Sequence, residues 1–166
     1  MDTIEAIRTR RSTRKFLSDT LPREVLEQIV DAARLAPTAR NEQPWEFVVI
    51  TDPTMLKEIG ALADHGPFIA EASACIAVFC RESKYYLEDG CAATENILLA
   101  ATALGVDSCW VAGDKKDYCS KVAEMLGMPA DQKLISLNAL GYRAAGPKNP
   151  PKRELADVLH WDKYGR

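Results

Sequence analysis

The chain has 166 residues, 47% apolar and 27% charged, with a formal net charge of -3 at pH 7. That length supports one domain with a sizeable core and is short for two. The acidic balance excludes a general nucleic-acid binder, which carries a basic excess, and the longest apolar run, ILLAATALGV, is far too short to span a bilayer. The opening MDTIEAIRTRR has no apolar h-region, so no secretory signal is visible. The cysteines are odd in number and lack C-x-x-C spacing, and His65 and His160 lie far apart, so neither a disulfide framework nor a metal site is expected. Reduced, buried thiols in a cytoplasmic protein are the expectation.

In chain order, Asp2 and Glu5 form a capping-box pattern, with Ile4 and Ile7 on one helical face. This short helix runs into RTRRSTRKF, where Arg8, Arg10, Arg11, Arg14 and Lys15 gather. Pro22 opens a second helix, PREVLEQIVDAARLA, whose apolar spacing at Val25, Leu26, Ile29, Val30 and Ala33 is helical; Pro37 ends it. WEFVVIT is a strand, and DPTMLKEIGAL a helix with Asp52 as cap and Pro53 in its first turn. A short apolar helix, FIAEA, precedes a buried strand, ACIAVFC. The alanine-rich EDGCAATENILLAATALG is the longest helix and stops at Gly105; strand DSCWVA follows. DKKDYCSKVAEMLG reads as a helix capped by Asp114 and closed by Gly127, and QKLISLNALG as the last strand. YRAAGPKNPPKR is an extended basic loop and ELADVLHW a final short helix. The order α, α, β, α, β, α, β, α, β predicts one α+β domain over residues 1–166, a three-layer αβα sandwich with a central mixed sheet flanked by helices.

Several stretches carry chemistry. RTRRSTRKF is either a solvated basic helix end or an anion site, since arginine forks match phosphate oxygens and Ser12 adds a hydroxyl. In APTARNEQPWEF, Thr38, Asn41 and Gln43 place uncharged hydrogen-bonding groups in one loop, suited to the polar edge of a heterocycle; the alternative is a plain helix–loop–strand junction. In GVDSCWVAGD, Ala112 and Gly113 let a ring approach the backbone so that peptide N–H groups can point at it, unless the stretch is only a core strand ending in a turn. Lys152 and Arg153 follow stiffening prolines and are either a second half of the anion site or a solvated turn. There is no P-loop, no G-x-G-x-x-G and no nucleophile–base pairing, so an enzyme of this kind would take its reactivity from an organic cofactor.

Together, R-R-S-T-R at Arg10–Arg14, A-P-T-A-R-N-E-Q-P-W at Ala36–Trp45, A-A-T-A-L-G-V-D-S-C-W-V at Ala100–Val111 and the tail G-Y-R-A-A-G-P-K-N-P-P-K-R-E-L-A-D-V-L-H-W-D resemble the FMN-dependent nitroreductase family, in its order and over nearly the whole chain. The resemblance implies that Arg10 and Ser12 hold the FMN phosphate and ribityl chain, and that Arg11 contributes backbone contacts. It implies that Arg14 lies near the N1/C2-carbonyl side of the flavin, as the residue closest to the chemistry. Pro37, Thr38, Ala39, Asn41 and Gln43 match a loop that touches FMN from the other protomer of a homodimer. Trp110, Val111, Ala112 and Gly113 match the strand end whose backbone N–H faces flavin N5, and Lys152 and Arg153 match a C-terminal basic pair at the phosphate. The chain departs from the pattern at Thr38 and Ala39, where many members have serine, in the adjacency of Lys152 and Arg153, and in HGPFIAEASA, which offers no alignable contact.

The activity implied is an NAD(P)H-dependent flavin oxidoreductase. NADH or NADPH delivers hydride to flavin N5, and an electron-poor acceptor (a nitroaromatic, a quinone or similar) removes it in a ping-pong cycle. The alternative is a non-catalytic flavin-binding, storage or regulatory protein of the same fold.

Overall fold

The computed structural model describes residues 1–146 and 150–165. Helix α1 (Thr3–Thr9) starts at Asp2, whose carboxylate accepts the Glu5 N–H at 2.8 Å, as its sequence predicts. Its Ile4 and Ile7 share a face, but that face is open: they are 57% and 52% exposed, and only Ala6 of this helix is buried. Helix α2 (Arg23–Ala33) begins behind Pro22 and buries Leu26, Ile29 and Ala33. It stops earlier than the proline at 37 requires, because residues 34–36 turn away through hydrogen bonds to Val30, Ala32 and Ala33 carbonyls.

Four strands form one sheet in the order β1-β2-β4-β3. They are β1 (Trp45–Ile50), β2 (Ala74–Arg81), β3 (Asp107–Ala112) and β4 (Gln132–Gly141). Every ladder is antiparallel. The expected mixed character reduces to one parallel bridge, Ser12 with Ser108. Strand side chains alternate between faces, and both faces of central β2 are covered. Ala74, Ile76, Val78 and Cys80 pack with Leu26 and Ile29 of α2 and Ile97 of α4 (Tyr86–Ala103). Cys75, Ala77 and Phe79 pack with Leu56 and Ile59 of α3 (Pro53–Leu62) and Val122 of α5 (Cys119–Met125). The result is the predicted helix–sheet–helix sandwich.

Gly105 and Gly127, at φ 76° and 68°, close α4 and α5 as expected. Helix α5 is shorter than its sequence predicts. Asp114 does not cap it: this residue sits at φ 47° and its carboxylate accepts the Tyr86 hydroxyl at 2.8 Å, so it is engaged in a tertiary contact. Within the predicted extended loop, residues 147–149 lie outside the described residues. The expected last helix is one short 3-10 turn, Leu155–Asp157. All five cysteines are free, and burial pushes the thiols of Cys75 and Cys80 up to about 12. Among the described residues no helix is long and apolar enough to cross a membrane.

Candidate functional site

Residues Arg10–Phe16 lie along the outer edge of β3 and the end of β4. Ser12 bridges Ser108, and Phe16 bridges Arg143. The Thr13 N–H donates to the Ser108 carbonyl at 2.9 Å. The buried Thr13 hydroxyl donates to Asp107 at 3.1 Å, and the same carboxylate holds Arg143 at 3.0 Å. Asp107 therefore fastens the basic segment to the sheet, a role that no local motif signals.

The arginines then divide by function. Arg11 donates to the carbonyls of Arg8 and Arg10 at 2.8 and 2.7 Å, so its guanidinium satisfies helix-end acceptors of α1. Arg10, Ser12 and Arg14 instead act on Cys109. Burial raises that thiol's pKa, and Arg14, a hydrogen bond with Ser12, and Arg10 each oppose the rise. Arg14 also lies over the Phe68 ring, 5.8 Å from its centroid. Phe68 comes from the HGPFIAEASA stretch, which has no alignable family contact.

The register of β3 decides which peptide groups are available. The Gly113 N–H donates to the Ile135 carbonyl at 2.9 Å, so it is committed to β4 and cannot face a ligand as its motif predicts. Antiparallel ladders alternate bonded and non-bonded positions. With Ala112 opposite Ser136 and the Ser108 carbonyl turned outward to Thr13, the N–H groups of Trp110 and Ala112 point to the outer edge instead. Val111 is buried beneath them, against the Gly66 turn. The strand end is fixed by Tyr118, whose hydroxyl donates to the Ala112 carbonyl; burial pushes that phenol up to about 12, so it stays a donor at neutral pH.

The Pro37–Gln43 loop is built differently. Arg40, Asn41 and Gln43 hold φ of 55°, 57° and 46°. Left-handed conformations cost about 1–2 kcal/mol for a residue with a Cβ, so the loop needs external restraint. Thr38 supplies it: its hydroxyl donates to Asp89 at 2.7 Å and accepts the Gln43 N–H at 3.1 Å, while the Ala39 N–H donates to the other Asp89 oxygen at 3.1 Å. Pro37, Asn41 and Gln43 are exposed.

The structure does not bring this loop to the basic segment of the same chain. Asp89 is in the first turn of α4, whereas Arg10 and Arg11 share a small cavity with Thr102 and Gly105 at its far end; at 1.5 Å per residue those ends are about 20 Å apart. The loop also leads into β1, at the opposite sheet edge from β3. Among the described residues, Lys152 and Arg153 make no hydrogen bond or ion pair with the basic segment. Both are exposed, and Arg153 donates to the Asp157 carbonyl at 2.5 Å, within the tail.

The chain is similar in sequence and fold to known proteins. A protein of Methanothermobacter thermautotrophicus named "Putative NADH dehydrogenase/NAD(P)H nitroreductase" is 34% identical over 172 residues, covering 99% of this chain and 88% of that protein. The Bacillus subtilis "FMN reductase (NADPH)" is 25% identical over 187 residues, covering 98% of this chain and 74% of that protein. A Desulfovibrio desulfuricans crystal structure described as "a putative nitroreductase in complex with fmn" superposes with a TM-score of 0.86 at 27% identity, covering 99% and 98% of the two chains. The family model of the nitroreductase family matches residues 7–80 and 67–142, which takes in the basic segment, the Asp89-held loop and the β3 edge. With the sandwich fold and a family match that spans most of its residues, the chain belongs to the nitroreductase family.

Proposed function

We propose that the chain is a single-domain, FMN-dependent NAD(P)H oxidoreductase that acts as a homodimer on an electron-poor acceptor such as a nitroaromatic or a quinone. The observation that carries this reading is the β3 edge: outward N–H groups of Trp110 and Ala112 lie beside the half-buried Arg10 and Ser12 and the exposed Arg14. This donor set fits FMN. Cationic forks suit a phosphate dianion, a hydroxyl suits the ribityl chain, and peptide N–H groups suit a ring nitrogen. Bound FMN would supply hydride acceptance and return at N5, first from NAD(P)H and then to the acceptor, in a ping-pong cycle. The protein's part is to bind, orient and stabilise charge. Arg10 and Ser12 would hold the phosphate end, the β3 N–H groups the ring, and Arg14, steadied by Phe68, would face the charge that reduction adds. The free thiols fit the reducing cytoplasm.

The protein as purified is expected to show flavin absorbance that NADH or NADPH bleaches without oxygen and that an added acceptor restores. A yellow protein inert to both nucleotides would be a storage or regulatory flavoprotein; a colourless one unable to take up FMN would overturn the cofactor.

The separation of the Pro37–Gln43 loop from the basic segment supports the homodimer. One flavin can use both only if the loop comes from a second copy. The open Ile4/Ile7 face and the tail, with Leu155 71%, Trp161 70% and Tyr164 92% exposed, provide apolar surface for that copy. Lys152 and Arg153, carried on that tail, would reach the phosphate in the assembled dimer. Sedimentation is expected to give a dimeric mass, and a stable monomer that binds FMN tightly would refute the shared site.

A further inference from the structure

We propose that Asp89 is the positioning residue for the flavin-facing loop, setting Asn41 and Gln43 in place for the neighbouring protomer's site; this rests on the FMN reading above. Asp89 is 5% exposed, a level at which a carboxylate is costly unless bonded. Among the described residues no Lys or Arg pairs with it. Among the described residues its carboxylate's hydrogen bonds go to the loop alone, to the Thr38 hydroxyl and the Ala39 N–H. Its place in the first turn of α4 favours the negative charge.

The carboxylate also fixes the direction of a hydrogen-bond chain. A carboxylate can only accept, so the Thr38 proton must point at Asp89. That leaves a Thr38 lone pair for the Gln43 N–H. Both ends of the loop are thereby tied to one buried anion, and Arg40, Asn41 and Gln43 are held in the left-handed region between the ties. A neutral amide at position 89 can turn its NH2 towards Thr38; the hydroxyl then accepts instead of donating, its proton loses its partner, and the charge-assisted bond that fixes the direction of the chain to Gln43 is lost.

Asp89→Asn tests this, with Thr38→Val as an isosteric partner that removes only the hydroxyl. In the full chain, each is expected to leave the circular dichroism of the fold unchanged and to weaken FMN binding at least tenfold. In the flavin-stripped protein, each should speed amide exchange at Ala39 and Gln43 at least tenfold while amides of β2 and β4 keep their wild-type rates. The double variant should be no weaker than the weaker single, because both changes break one chain. FMN affinity within twofold of wild type in both folded variants would overturn the proposal, as would exchange that accelerates equally throughout the sheet. Should Asp89→Asn fail to fold, Thr38→Val carries the same two expectations. If the wild-type protein takes up no FMN, the functional reading fails, and the exchange pattern still decides whether Asp89 positions the loop.

Discussion

Replacing Gly113 with alanine is expected to lower Tm by about 6–12 °C and to cost most of the FMN affinity. A Cβ at this position would stand 2.5 Å from the Leu134 carbonyl oxygen and 2.8 Å from both the carbonyl carbon and oxygen of Ile135. These are backbone atoms of β4, in the middle of the sheet, and no rotamer change can clear them. Either β3 lifts from β4 or the Gly113–Ile135 hydrogen bond breaks. Overpacking against a rigid neighbour costs about 3 kcal/mol at the upper end of its usual range, and each kcal/mol moves Tm by about 2–4 °C for a domain of this size. The same displacement carries Ala112 and its outward N–H away from the ring it would serve. Thermal denaturation followed by circular dichroism, together with FMN titration, measures both effects. A Gly113→Ala protein with wild-type Tm would mean that the strand end yields freely, and the register argument for the site would fall with it. Gly105→Ala is a useful contrast: nothing lies within 4 Å of a Cβ there, so any cost comes from its φ of 76° alone.

The contrast between these glycines reflects what a sequence exposes. Gly105 was legible because a helix end is local chemistry, and the same holds for Asp2, Pro22 and Asp52. Strand β2 was legible because ACIAVFC has no polar residue to place on a solvent face. Where a polar residue departs from its local expectation, the cause is a side chain claimed by a distant partner. Asp114 looks like a helix cap until Tyr86 takes its carboxylate. Asp89 looks like an ordinary first-turn acid of α4, and nothing local shows that it binds a loop some 50 residues earlier. Asp107 and Tyr118 are hidden in the same way. Ile4 and Ile7 have core-like spacing yet remain open, because periodicity reports that a face is apolar and not what covers it. The resemblance supplied the segments that would contact flavin, while the residues holding those segments came only from the fold.

The basic segment yields the most discriminating pair of variants. Arg14→Ala is expected to lower the midpoint potential of bound FMN by about 30 mV and to slow its reduction by NAD(P)H, with little change in affinity. Arg10→Ala is expected to weaken FMN binding by about 10–100-fold and leave the potential nearly unchanged. The difference follows from which end of the flavin each guanidinium would face. Reduction leaves the phosphate charge as it was, so a contact there stabilises both redox states equally and appears only in Kd. A charge-assisted hydrogen bond is worth about 1.5–3 kcal/mol, and ~1.4 kcal/mol is tenfold in affinity. Arg14 would face the ring, where charge appears only on reduction. Two unit charges ~4 Å apart attract by ~4 kcal/mol at an effective dielectric of ~20. Arg14 is exposed, so water reduces this, although contact with Phe68 limits the guanidinium's freedom. A residual ~1.4 kcal/mol shifts a two-electron couple by ~30 mV. Spectroelectrochemical titration and FMN binding on both variants separate the two effects. If Arg14→Ala leaves the potential at its wild-type value, the guanidinium does not face the ring, and the division of labour within RTRRSTRKF is wrong.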